Sequence, residues 1–288
     1  MNGGKTMNQQ NIFKCSMLFL LLGLIGVMGG NAKTVSASSV TSLRTGVTYQ
    51  EYDITGDGKA DTLLAKDTGK RDEWYQAFEV YINGQCALKV KGRYLNYYES
   101  TVKLVSFDSG AVYLYVYLSG DNGDGPVDLY AYQNGKLKKA LNLLKPMKHM
   151  GFHAGADIHD VNGDQMVVWM ESMSYGLAHV NFEAIYRYQD GKLVLQSRTH
   201  KILGYYNAKL QKTGISKLTT SGKMQLYQSK TLKKKSRVLA KGTKLRVTKC
   251  YISGKKVAFY VKTLDGKTGW FRSKYTAKEP FREVIYAG

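Results

Sequence analysis

Cysteine and proline are both scarce in this chain, which has three of each among its 288 residues. Cys86 and Cys250, the two cysteines outside the N-terminal segment, are too few to form the disulfide framework of a small secreted domain. We favour two free buried thiols, with a Cys86–Cys250 bridge between domains as the alternative. A composition of 43% apolar and 22% charged residues excludes wholesale disorder and collagen-like designs. The chain must therefore fold on its own hydrophobic cores.

Acidic residues are nearly absent from the last third of the chain. Residues 201–288 contain 22 basic and three acidic residues, whereas residues 38–200 contain 17 basic and 19 acidic residues. This shift in composition predicts two domains, 44–200 and 217–288, joined by a linker over 201–216. The net charge of the whole chain is +20, and such a concentrated surplus predicts an anionic partner.

The N-terminus has the pattern of a secretory signal peptide. Two lysines precede the apolar run 17–28, and small residues follow it up to Ala37. These twelve apolar residues are too few to span about 30 Å of hydrocarbon. We expect cleavage after Ala37, or alternatively after Ala32, and a secreted protein without a membrane anchor. Export also argues against a nucleic-acid partner, and no RNA- or DNA-binding motif is present.

Alternating apolar and aromatic residues predict β-strands over most of 44–200, and 22 tyrosines favour strands over helix bundles. The pairs Asn83-Gly84, Asn134-Gly135 and Asp190-Gly191 stand between such stretches and predict type I′ hairpin turns. Their recurrence at intervals of about 50 and 55 residues indicates one supersecondary unit used three times. Residues 136–149 fit either a short helix before Pro146 or a strand.

The most distinctive chemical motif is the loop Asp53–Asp61, with the sequence DITGDGKAD. Oxygen atoms at alternate positions can surround a hard cation such as Ca²⁺, and glycine lets the loop fold back. The predicted calcium ligands are the side chains of Asp53, Thr55, Asp57 and Asp61 and the backbone carbonyl of Lys59. The loop is not an EF-hand, because Leu64 stands where a bidentate Glu is needed. The alternative is an acidic surface turn that binds nothing.

This loop and the apolar stretch 62–65 after it resemble the FG-GAP or VCBS repeats of integrin-like and bacterial exported proteins. The resemblance implies calcium binding that serves structure and adhesion. Later copies depart from the pattern: the copy at 120–128 begins with Gly, and 160–164 fits a plain hairpin turn at Asn162-Gly163. Three units are too few for a closed propeller of the usual size. We therefore expect a compact β domain of degenerate repeats.

Five short stretches between residues 224 and 275 predict a small antiparallel barrel, with turns at Lys241-Gly242, Ser253-Gly254 and Asp265-Gly266. The sequences LAKGTKL at 239–245 and DGKTGWF at 265–271 are similar to those of bacterial SH3 domains. The resemblance implies a barrel that binds cell-wall peptides. The first strand departs from the family, because it lacks the N-V-R-S-G-P sequence that often begins such domains.

Aromatic and basic side chains of this predicted barrel are the candidates for ligand binding. The candidates are Tyr251, Tyr260 and Trp270, together with Lys233, Lys234 and Lys235 in a loop. The aromatic residues form either a ligand platform or part of the barrel core. The expected ligand is an anionic cell-wall polymer such as teichoic acid, or a peptidoglycan peptide. Lysines that only maintain solubility are the alternative.

Common catalytic motifs are missing, since the sequence has no H-E-x-x-H and no G-x-S-x-G. We therefore predict a protein that is not an enzyme. The sequence as a whole predicts an all-β, secreted, calcium-binding protein tethered to the bacterial cell envelope by a basic SH3-like domain. A peptidoglycan hydrolase or its regulator is the first alternative. An adhesin or inhibitor that binds a protein partner through the repeats is the second.

Overall fold

The computed structural model describes residues 38–120, 125–274 and 279–284. The predicted signal peptide, 1–37, lies outside the described residues. Within them the fold is all-β, as the sequence predicts: the regular secondary structure of the described residues consists of antiparallel strands and one 3₁₀ turn, Lys145–Met147. In this part of the chain no helix is long and apolar enough to cross a membrane.

Residues 48–195 form three consecutive four-stranded antiparallel meanders. The first consists of β2 (Thr48–Tyr52), β3 (Asp61–Thr68), β4 (Tyr75–Ile82) and β5 (Gln85–Asn96). The second consists of β6 (Thr101–Ser106), β7 (Val112–Tyr117), β8 (Val127–Gln133) and β9 (Lys136–Asn142), with β1 (Ser39–Leu43) added beside β6. The third consists of β10 (Gly151–Asn162), β11 (Gln165–Ser174), β12 (Ala178–Gln189) and β13 (Lys192–Leu195). The predicted threefold use of one supersecondary unit is therefore confirmed.

The three predicted hairpin turns join the third and fourth strands of the meanders. Asn83, Asn134 and Asp190 each have a φ of 50°, and the glycines that follow them have φ values of 75°, 80° and 77°. Two successive positive φ angles define a type I′ turn, which matches the right-handed twist of the strands. Residues 136–142 are strand β9, so the strand interpretation of this segment is correct and the helix is not formed.

The third meander continues into the basic part of the chain within one sheet. β12 pairs with β14 (Thr199–Asn207), and β14 pairs with β19 (Lys244–Ser253). The sheet then continues through β20 (Lys256–Thr263), β21 (Thr268–Arg272), β17 (Met224–Tyr227) and β18 (Lys235–Leu239). Two short strands, β15 (Lys212–Gly214) and β16 (Leu218–Thr219), pair with β14 and β19 respectively. All five strands predicted between residues 224 and 275 are present.

The segment 201–216 differs from the linker that the charge shift predicts. Most of it belongs to β14 and β15, and Tyr205 is fully buried with its hydroxyl donating to the carbonyl of Ser216. Basic side chains after residue 200 lie on the surface, while alternate residues of the same strands face the core. The net charge of the sequence therefore changes near residue 200 although the sheet continues past it.

One large cluster of buried side chains connects the two predicted domains. It runs from Val105 to Val284 and includes residues of the second meander, the third meander and the strands after β14. A second cluster lies between the first and second meanders, around Phe78 and Leu114. Because the larger cluster has members on both sides of 201–216, the basic part of the chain shares a core with the third meander.

His200 lies on β14 between β12 and β19, where it packs against Phe182 and stands opposite Cys250. The side chain is only 5% exposed, and its ring centroid lies 5.3 Å from that of Phe182. Burial lowers the pKa of His200 to about 4, because a charged imidazolium would lose its hydration there. Its cross-strand partner Cys250 is a buried free thiol whose pKa is raised by burial. Cys86 is also free, as predicted, but it is half-buried rather than buried.

Candidate functional site

The predicted calcium loop connects β2 with β3 and is folded around Asp53. The carboxylate of Asp53 accepts backbone hydrogen bonds from Gly56 and Gly58 at 2.7 Å and from Asp57 at 3.2 Å. Gly56 and Gly58 have φ values of 78° and 82°, which lets these N–H groups converge on one side chain. The loop therefore has the folded-back conformation that its sequence predicts.

Asp61 fixes the end of the loop to the protein interior. Asp61 is only 2% exposed, and its carboxylate accepts hydrogen bonds from the N–H groups of Ile54 and Thr55 at 2.6 and 2.8 Å. The side chains of Asn83 and Thr55 also donate to it, at 2.6 and 3.3 Å. An ionised carboxylate has about four lone-pair sites, and protein donors occupy all of them. Asp61 has a structural role in this conformation rather than the predicted role of a free ligand.

The remaining oxygens of the loop match a calcium ion only in part. Asp53 retains one lone pair, and Asp57 accepts a single hydrogen bond, from the N–H of Lys59 at 2.9 Å. Ca²⁺ takes roughly six to eight oxygen ligands, so water would have to complete the coordination. Within the described residues there is no group of three or more His, Cys, Asp or Glu side chains that could hold a metal ion.

The two later copies of the motif have other structural partners. Residues 121–124 of the second copy lie outside the described residues, and its Asp128 is buried and bonded to Lys139 and Asn142 at 2.6 Å each. The third copy is a hairpin turn between β10 and β11, as expected, but its two turn residues are Gly163 and Asp164, because Asn162 still pairs with Gln165 in the ladder. Its Asp164 accepts a hydrogen bond from the N–H of Ser109 at 3.1 Å.

The aromatic candidates Tyr251, Tyr260 and Trp270 lie together on the outer face of β19, β20 and β21. With Leu232, Ala258 and the half-buried Tyr227 they form a small cluster, which we call the outer aromatic cluster. The ring centroids of Tyr260 and Trp270 are 5.2 Å apart. Alternate residues of the same strands, such as Phe259 and Phe271, belong to the main core. The three aromatic residues therefore pack against each other, but outside the main core.

Lysines border the outer aromatic cluster. The Nζ atoms of Lys230 and Lys249 lie 5.2 and 5.8 Å from the ring centroids of Tyr251 and Tyr260. The candidates Lys233, Lys234 and Lys235 are all exposed and follow Leu232, a member of the cluster. The candidate ligand-binding residues thus come together as aromatic rings with a basic border.

The positive charge of residues 201–288 is exposed and mostly unpaired. Of the 22 basic residues in this range, the 21 that the structure describes are all exposed. In the described part of this range, one acidic side chain pairs with a basic one: Asp265 lies 2.7 Å from Lys267. Hydrogen bonds from Lys267 and from Thr263 lower the pKa of Asp265 to about 2. The surplus seen in the sequence is therefore a surface that neighbouring carboxylates do not neutralise.

A groove that the sequence analysis missed lies between the second and third meanders, and its volume is about 760 Å³. Its lining includes Tyr115, Gly155, Trp169, Glu171 and Asn181, which come from the four meander strands β7, β10, β11 and β12. Trp169 is the one residue here that the sequence could have indicated, because it occupies the outward-facing position of an alternating strand. Its neighbours Val168 and Met170 are buried. The other lining residues are distant in sequence and carry no such signal.

Comparison with known proteins gives no match: no protein-family model fits the chain, and no curated protein or solved structure is significantly similar to it. Its function must therefore be argued from its own surfaces.

Proposed function

We propose that this protein is a secreted, non-enzymatic binding protein that attaches to the bacterial cell envelope through the basic surface of residues 201–288. The observation that supports the proposal is the set of 21 exposed basic residues with one acidic partner among the described residues. Charges of one sign attract a polyanion through the summed field of the surface. An anionic wall polymer such as teichoic acid has the repeated charges that such an extended surface can bind.

Sedimentation with purified cell walls tests this proposal on the full mature chain, residues 38–288. A variant with Lys230, Lys233, Lys234, Lys235 and Lys249 changed to Gln should bind roughly tenfold more weakly. This loss is expected if each lysine contributes about 0.3 kcal/mol. Binding of the unmodified protein should also weaken as salt is raised, because the charges are exposed.

The matched control removes the same charge from the other part of the chain. It changes five exposed lysines to Gln: Lys70, Lys91, Lys138, Lys145 and Lys192. Equal losses in both variants would contradict a localised binding surface. Cell walls stripped of teichoic acid distinguish the two candidate ligands, the anionic polymer and the peptidoglycan peptide. If the protein still sediments with stripped walls, the ligand of the outer aromatic cluster is the peptide and not the polymer.

We further propose that the loop Asp53–Asp61 binds Ca²⁺ with Asp57 as its main side-chain ligand. Asp57 supports this role because it is exposed and has most of its lone pairs free. Calcium at 100 times its dissociation constant should stabilise the folded chain by about 2.7 kcal/mol. Thermal unfolding with calcium and with EDTA measures the effect, and Asp57→Ala should abolish the calcium-dependent rise in Tm.

Two comparisons make the calcium experiment decisive. Asp57→Ala should leave the Tm in EDTA nearly unchanged, because it removes one exposed hydrogen bond. Asp160→Ala, which changes an exposed aspartate of the third copy, should retain the calcium response. The same Tm for the unmodified protein with and without calcium would mean that the loop is an acidic turn only.

A further inference from the structure

The groove between the second and third meanders is a concave surface outside the basic region. Its volume of about 760 Å³ lies within the roughly 300–1,000 Å³ typical of small-molecule sites. Small residues line it on β10, β14 and β15, including Gly155, Gly204 and Gly214. Tyr115 and Tyr117 of β7 and Trp169 of β11 contribute aromatic rings.

Gly155 faces open space in this groove. A β-carbon at Gly155 would have no atom within 4 Å, whereas one at Gly204 would lie 3.0 Å from the backbone nitrogen of Gly214. Gly204 therefore allows β14 and β15 to approach each other. Gly155 has no such packing role, so its missing side chain leaves volume that a ligand can occupy.

Trp169 is a large apolar side chain held at the surface. It is 46% exposed, although the strand neighbours Val168 and Met170 are buried in the main core. The ring of His159 stacks on the indole with a centroid distance of 3.7 Å and an interplanar angle of 14°. This stacking restricts the rotation of the indole, and a pre-oriented aromatic ring loses less entropy when a ligand packs on it.

Polar side chains around the groove retain unused hydrogen-bonding capacity. The side chain of Glu171 is 59% exposed, and the Nδ1 atom of His179 lies 3.6 Å from its Oε1, beyond hydrogen-bond distance. Among the described residues, the side chains of Asn181 and Thr213 form no hydrogen bond. Asp157, in contrast, is already paired with Lys103 at 2.6 Å. One exposed carboxylate, one amide and one hydroxyl are thus available to a ligand.

We infer that this groove binds a neutral saccharide. A sugar ring has an apolar face that packs on an aromatic ring, and its hydroxyl groups donate to carboxylates and exchange hydrogen bonds with amides and hydroxyls. No lysine or arginine lines the groove in the described residues, so an anionic ligand would find no ammonium or guanidinium group on the lining. A cationic ligand would gain only Glu171, because Lys103 neutralises Asp157. The inference does not depend on the function proposed for the basic surface.

Binding of the full mature chain to an array of neutral oligosaccharides tests the inference. Gly155→Leu fills the open volume, and Trp169→Ala removes the apolar surface. Each should weaken the binding of the recognised saccharide at least tenfold. The affinity is then measured by calorimetry with the soluble trisaccharide of N-acetylglucosamine and with the strongest ligand on the array. Gly155→Leu should unfold at the same temperature as the unmodified protein, because a β-carbon at this position has no atom within 4 Å.

The controls separate this groove from the rest of the surface. Gly222→Leu, at another glycine whose β-carbon would have no neighbour within 4 Å, should retain saccharide binding. The five-lysine variant of the basic surface should retain it as well, even if that variant no longer binds cell walls. The inference is overturned if no neutral saccharide binds above the level of Gly155→Leu. Binding of a lysine-rich peptide in place of saccharides would also overturn it and assign the groove to cations.

Discussion

Replacing Phe259 by alanine is expected to lower the free energy of unfolding by about 3–5 kcal/mol. Phe259 is fully buried on β20, and its ring centroid lies 5.4 Å from that of Phe271. It belongs to the same core cluster as Val168 and Phe182, which lie on the other side of residue 200. Removal of the ring leaves a cavity that the surrounding strands can fill only partly, which explains the large effect.

The loss of stability should affect the residues before and after residue 200 equally, because the two parts of the chain share one core. Urea unfolding measured by fluorescence tests this in two single-tryptophan variants. One retains Trp169 and the other retains Trp270, and the remaining tryptophans are changed to Phe. Both reporters should move to lower urea concentrations together. A shift of Trp270 without Trp169 would contradict the shared core and favour the two domains predicted from composition. Leu264→Ala, at a residue 50% exposed, should change stability by about 0.5 kcal/mol or less.

Lowering the pH from 7 to 4 should remove about 3 kcal/mol of stability through His200 alone. The pKa of His200 is about 4 in the folded chain and about 6.5 in an unfolded chain. Below pH 6.5 the unfolded chain therefore binds a proton that the folded chain does not. The equilibrium shifts towards unfolding until the pH falls through the folded pKa, below which both states are protonated and the loss stops growing.

A His200→Gln variant isolates this contribution. Urea unfolding at pH 7 and at pH 4 should give a smaller difference for the variant than for the unmodified protein, by about 3 kcal/mol. Carboxylates such as Glu79, whose pKa is lowered by its hydrogen bond with Lys89, also lose stabilising charge in acid. They do so equally in both proteins and cancel in the comparison. The same pH dependence in both proteins would contradict a buried, neutral His200.

Local features of this fold could be predicted because they depend on a few consecutive residues. The Asn-Gly and Asp-Gly turns require positive φ angles that few other pairs accept, and all three are present. The strands β17 to β21 follow from their alternating apolar residues, and glycine-containing turns separate the last four of them. The folded-back loop at Asp53 follows from the spacing of its carboxylates and glycines.

Long-range pairing could not be predicted from the same patterns. The ladder that places His200 opposite Cys250 joins residues 50 positions apart, and nothing in either strand identifies its partner. Charge composition gave the wrong domain boundary here, because lysines lie on the outer face of a strand, whereas the residues on its inner face determine which core the strand joins. The hydrogen bond from Asn83 to Asp61 is a similar case, since it comes from a hairpin that follows the loop. The groove residues Gly155, Trp169 and Asn181 come from three different strands.

The unbroken sheet from β10 to β18 also fixes the geometry between the groove and the basic surface. Two binding modules on a flexible tether search for their targets independently, and tether length sets their effective concentration. Here the β14–β19 ladder replaces such a tether, so a saccharide held near β11 and a polymer bound beyond β19 would have a constant separation and orientation. Avidity would then depend on whether the envelope presents the two ligands at that spacing, and the protein would select for the arrangement of its targets as well as for their chemistry.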